Sequence, residues 1–159
     1  MDKTSTQTLQ QGLDEYYALN PSVTDPRQLP PSFAKILLAH DASHVVYGCD
    51  TGMYDELKLL PLTWWTSNYQ FRDHLRTIRD PVISPAIRVM YDDLIKQHGT
   101  LWLYASILVV LPRLLPELIS IWSKSRQRTC FVPFLDFEPL LDRSLYEIRQ
   151  EFNLLPLFK

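Results

Sequence analysis

The chain has 159 residues, 46% hydrophobic and 21% charged, with a net charge of -2 and an isoelectric point near 6.1. That length and balance describe one globular domain able to bury a core, and they exclude a disordered chain. The slightly acidic charge excludes the basic footprint of a nucleic-acid binder. Cys49 and Cys130 form no CxxC pair and no disulfide framework, which suits a reducing, cytoplasmic setting.

Four glycines against twelve prolines predict short helices punctuated by prolines. No alternation is long enough for several strands, and no repeat is present. The N-terminus, MDKTSTQTLQQ, has neither an apolar core nor an Arg-rich stretch, and reads as no signal or transit peptide. A first helix is expected over Thr6 to Ala18, then a proline-rich loop from Asn20 to Pro31. Residues 1–31 are expected to pack loosely. Ser32 caps a helix through Tyr47, ended by Gly48. Cys49 to Tyr54 is a turn. Glu56 to Trp65 is apolar, with Pro61 breaking it. Ser67 and Gln70 have the spacing of a capping box for a helix to Arg79, stopped by Asp80-Pro81. Ser84-Pro85 starts a helix that Gly99 ends. Thr100 to Leu111 and Pro112 to Lys124 read as two apolar helices separated by proline. The run Leu101 to Leu111 is too short to cross a bilayer. A short basic link spans Ser123 to Arg128, and Asp142 or Pro139 opens a last helix carrying Leu145, Ile148 and Phe152. The sum is an all-α fold, a single compact helical domain of about seven helices over 1–159.

The most chemically specific string is His40-Asp41-Ala42-Ser43-His44, followed by Glu56 after eleven residues. On a helix, His40 and His44 lie one turn apart on one face, and Asp41 borders it. Gly48 and Gly52 let the chain turn back so that Glu56 closes the site. The surrounding Ala34, Ile36, Leu37, Leu38, Val45 and Val46 predict a buried helix, where polar groups need partners. Two imidazoles and two carboxylates suit one divalent ion, zinc, iron or manganese. Without a metal, His40 and Asp41 would be satisfied locally and His44 would sit at the surface. Asp50 and Asp55 are candidate acceptors for an imidazole N–H. The chain lacks an HExxH zincin motif, a Glu-x-x-His pair for a di-iron bundle, a Gly-rich phosphate loop and a GxSxG elbow.

The string HDASH, then eleven residues, then Glu56, resembles the HDxxH-x11-E signature of the coenzyme Q (ubiquinone) biosynthesis protein 4 family. The stretch LDRSLYEIRQEFNL, Leu141 to Leu154, is similar to that family's C-terminal region. The sequence departs from the family pattern at Ala42, Ser43 and Asp55, none of them ligands. The resemblance implies an all-helical fold and metal ligands His40, Asp41, His44 and Glu56. It implies a role in ubiquinone biosynthesis at a membrane, in C1 oxidative decarboxylation of a polyprenyl-hydroxybenzoate lipid, or as a lipid-binding scaffold for the other quinone-biosynthesis enzymes. A prenyl tail then requires an apolar pocket, for which Trp102, Tyr104, Ile107, Leu108, Leu111, Leu118 and Trp122 are the candidates. Lys124, Arg126 and Arg128 are candidates for a headgroup or prenyl phosphate. The expected partners are a prenylated aromatic lipid, those enzymes, the inner membrane surface as a peripheral site, and a second copy of the chain.

Overall fold

The computed structural model describes residues 4–158 apart from 22, 24, 27, 28, 30 and 127. Among them are seven α-helices: α1 (Leu9–Leu19), α2 (Pro31–Tyr47), α3 (Met53–Thr66), α4 (Phe71–Thr77), α5 (Ser84–His98), α6 (Thr100–Ser125) and α7 (Leu145–Glu151). Single 3-10 turns follow at Glu138–Leu140 and Leu155–Leu157. The described residues contain no strand, only two isolated β-bridges. The all-α expectation therefore holds.

Local chemistry sets the helix ends. At α1, Thr8 Oγ1 accepts from the Gln11 amide while Gln11 Oε1 accepts from the Thr8 amide. Ser144 and Glu147 repeat this capping box at α7. The two caps meet: the Leu9 amide donates to Arg143 O and the Leu145 amide to Gln7 O, joining the starts of the first and last helices. Leu9, Leu13 and Tyr16 are buried, and α1 packs on α2. The expected loose N-terminal segment is thus, over α1, part of the core; 1–3, 22, 24, 27, 28 and 30 lie outside the described residues.

Two expected breaks and one expected cap differ in the fold. Pro61 lies inside a continuous α3, and Pro112 and Pro116 lie inside a continuous α6 of 26 residues. A mid-helix proline costs about 3 kcal/mol. Here α3 and α6 pack against each other, and Leu59 and Leu62 on one and Leu114 and Ile121 on the other are buried in the fold. At about 1.5–3 kcal/mol for each such side chain, that burial offsets the lost hydrogen bonds. Consequently α6 is long and apolar enough to cross a membrane by length and composition, although only 11% of its most apolar stretch is buried. The other difference is at Ser67, which does not cap α4. Its hydroxyl donates to Thr63 O and ends α3, while Asp73 accepts from the Gln70 amide to start α4.

Arg149 ties α7 to α2. It is fully buried, donates from Nε to Val46 O (2.8 Å) and from Nη2 to Val45 O (3.0 Å), and its guanidinium lies 4.6 Å from the Phe158 ring centroid. A fixed positive charge on the last carbonyls of α2 also opposes the negative end of that helix.

Candidate metal centre

The site begins with how α2 ends. Gly48 adopts φ 62, the left-handed conformation that glycine tolerates best. The Cys49 amide donates to His44 O (2.9 Å) and the Gly48 amide to Val45 O (3.3 Å), the paired bonds of a Schellman cap. This turn reverses the chain, Gly52 then precedes α3, and Glu56 falls in the first turn of α3 facing α2. A carboxylate is electrostatically favoured there, near the positive end of the helix.

The same cap orients a ligand. Nδ1 of His44 lies 3.3 Å from Cys49 O. A carbonyl only accepts, so Nδ1 carries the proton and Nε2 presents a lone pair in the neutral ring. Nε2 is buried, has no hydrogen-bond partner, and lies 3.2 Å from Glu56 Oε1. Tyr16 stacks on the His44 ring at 5.4 Å. His40 presents Nε2 to Glu56 Oε2 at 3.6 Å and packs edge-on to His44. Ligand atoms of His40, His44 and Glu56 all lie within 4.8 Å of one another. Donors about 2.0–2.2 Å from one ion stand roughly 3–4 Å apart, so a contraction of about 1 Å closes the triad. His44 is sealed in the core, whereas His40 and Glu56 keep 32% and 38% of their side chains exposed. The centre therefore opens to solvent on the side of His40 and Glu56.

Asp41, predicted as a fourth ligand, stands behind His40 rather than among the converging atoms. Its Oδ1 lies 3.6 Å from His40 Nδ1, and its Oδ2 accepts a 2.9 Å hydrogen bond from the Tyr17 hydroxyl. A carboxylate on the far nitrogen of a ligating imidazole fixes the ring and raises its basicity. Burial of His40 works against its charge, but Asp41 and Glu56 outweigh it and hold its pKa near 9. Burial likewise works against the Glu56 charge, but the His40 and His44 imidazoles facing the carboxylate hold its pKa down near 2. Asp41→Asn is expected to weaken zinc binding about 10–100-fold without abolishing it, measured by competition with a chromogenic chelator. Complete loss would make Asp41 a direct ligand.

Asp50 and Asp55 do not accept from either imidazole. Asp55 Oδ2 takes the Asp50 amide, Asp55 Oδ1 pairs with Lys58 at 2.7 Å, and Asp50 Oδ1 takes the Thr51 amide, so both shape the turn. The acceptor for His44 is the Cys49 backbone, which side-chain motifs do not encode. Tyr16 and Tyr17 were also missed, because a second helix has to dock before they meet the site.

The predicted lipid-pocket residues divide. Trp102, Tyr104, Leu108, Leu111 and Trp122 lie exposed on the outer face of α6, while Ile107 and Leu118 are half-buried. The basic residues are partly engaged: Lys124 Nζ donates to Pro156 O, Arg126 stacks on Trp122 at 4.8 Å, and Arg128 donates to Phe152 O and Asn153 O, clamping the C-terminal segment. Comparison with protein-family models, curated proteins and solved structures finds no match to this chain.

Proposed function

We propose that the protein binds one divalent ion, zinc, iron or manganese, through His40, His44 and Glu56, and acts with it in ubiquinone or related prenyl-quinone biosynthesis. The reaction proposed is oxidative decarboxylation at C1 of a polyprenyl-hydroxybenzoate lipid. The observation that carries the metal part is the buried, unpartnered Nε2 of His44 set 3.2 Å from a carboxylate oxygen. A metal ion or a proton between the two atoms satisfies both, and leaving the nitrogen unsatisfied costs about 1–3 kcal/mol; the neighbouring His40 Nε2, which faces the same carboxylate, favours the metal. The quinone part rests on the HDxxH-x11-E resemblance.

A divalent ion held there supplies Lewis-acid polarisation of substrate oxygens. The chain's own groups do the rest. The Schellman cap and Tyr16 hold His44 in one plane. Tyr17 and Asp41 hold His40. The open side at His40 and Glu56 admits the ring carboxylate and phenol. In the net reaction the C1–carboxyl bond breaks and a C1–oxygen bond forms. The aromatic acid, dioxygen, two electrons and two protons yield the phenol, carbon dioxide and water, with a reduced nicotinamide or flavin as the electron source. The protein works as a peripheral protein of the inner membrane surface, beside other enzymes of the pathway.

Exposure of the α6 stripe favours a second reading: a lipid-associated scaffold whose metal is structural. One assay separates them. Iron- or manganese-loaded protein, given a short-chain prenyl-hydroxybenzoate labelled at the carboxyl carbon, dioxygen and a reductant, is expected to release labelled carbon dioxide, and Glu56→Gln none. No release with either metal leaves the scaffold.

A further inference from the structure

We propose that the outer face of α6 lies in the plane of an anionic lipid bilayer, with its apolar stripe among the acyl chains and its cations at the headgroups. It rests on the membrane association proposed above, not on the metal chemistry.

Leu101, Tyr104, Leu108, Leu115, Ile119 and Trp122 are between 45% and 87% exposed. At 100° per residue they fall within an arc of about 60°, so they form one line. From Leu101 to Trp122 that line runs about 32 Å at 1.5 Å per residue. Isolated exposed apolar residues are ordinary, but a continuous ridge of this kind marks a contact surface.

The charges beside it are one-sided. Arg113, Lys124 and Arg126 are exposed. The one acidic residue of α6, Glu117, accepts a 2.5 Å hydrogen bond from Tyr54 on α3. A protein of net charge -2 therefore presents a cationic rim along its most apolar face. Arg126 stacks on Trp122 at the end of the ridge, an aromatic and a cation placed as at a headgroup boundary.

Two alternatives fit less well. A symmetric contact with a second copy would bring the cations of one α6 toward those of the other, since Glu117, its one acidic residue, is turned to Tyr54. A single span through the bilayer would carry α3 and α5, which pack on α6, into the hydrocarbon with it. The opposite side of α6 is covered by α3 and α5. A helix lying in the interface, about 5–10 Å deep, meets all of these conditions.

The test is co-flotation of the full chain with vesicles of phosphatidylcholine, with and without phosphatidylglycerol. Wild type is expected to float with the anionic vesicles, with affinity about tenfold or more above the neutral ones. Leu108→Glu with Ile119→Glu, both at exposed positions, is expected to lose at least about tenfold in binding while keeping its helical circular dichroism and metal content. Brominated lipid is expected to quench Trp122 fluorescence in a protein whose other tryptophans are replaced by Phe. Equal flotation of the double variant would overturn the α6 assignment and leave membrane association intact. Absence of flotation for wild type would overturn both, leaving the metal centre untouched. A wild-type dimer that the double variant turns into monomer would assign the face to a second copy.

Discussion

His44→Ala protein should hold no metal ion under conditions where the wild-type chain, reconstituted and dialysed, holds one. His44 is the sealed member of the triad, and its Nε2 has no other partner to fall back on. Glu56→Gln should lose most of the ion as well, because the amide keeps the shape but not the charge, whereas His74→Ala should keep it. Elemental analysis reads all three. Binding should also stabilise the fold: at a free-ion concentration about a hundred times Kd, the gain is about 2.7 kcal/mol, seen as a fall in thermal midpoint on adding chelator. Wild type without metal after reconstitution, or His44→Ala with a full complement, would sink the central claim.

The pH behaviour of the same prediction has a definite sign. In the metal-free protein the Glu56 pKa is held down near 2 from an ordinary 4.5, so its contribution is present above 4.5 and lost as pH falls through about 2. The His40 pKa is held up near 9 from 6.5, so its contribution is present below 6.5 and lost as pH rises through about 9. The metal-free site is therefore most stabilising between pH 4.5 and 6.5. Metal binding runs the other way. His40 starts protonated at pH 7 and must release that proton to ligate. Affinity should rise with pH up to about 9, and calorimetry in two buffers of different ionisation enthalpy should show about one proton released per ion at pH 7. Proton-independent binding would show that His40 is not held protonated at pH 7 in the metal-free site, and retention of the ion by His40→Ala would remove it from the ligand set.

The second large effect is expected at Arg149. Arg149→Met should destabilise the protein by about 3–5 kcal/mol, a large part of the total for a domain of this size. The substitution roughly preserves the apolar packing but strips two charge-assisted donors from Val45 O and Val46 O. Those carbonyls lie in the last turn of α2, directly after His44, so the Schellman cap that orients the imidazole should loosen with them. Arg149→Lys keeps the charge but not the fork, and should fall between the two. Urea denaturation measures both, and a loss below about 1 kcal/mol for Arg149→Met would show that the buried guanidinium is replaceable.

What local chemistry dictates was legible in the residue order. The all-α class follows from the helical periods and the scarcity of glycine. Gly48 and Gly99 end α2 and α5 because both need positive φ, and Ser84-Pro85 starts α5 because proline suits a first turn. The pairing of His40 with His44 on one face follows from helical spacing alone. The part played by Asp41 did not: spacing places it near the face, but only the docking of α1 gives Tyr17 to its other oxygen. Tertiary packing also decided the three internal prolines, since burial between α3 and α6 outweighs a local cost that sequence rules treat as a stop. Nothing in the residue order singles out Arg149; its role arises when α7 packs on α2 and places it over the last carbonyls of that helix. The apolar run of α6 reads equally as core or as surface in one dimension. Which side meets α3 and which stays exposed was settled when the helices assembled, because burial belongs to the packed chain and not to any single segment.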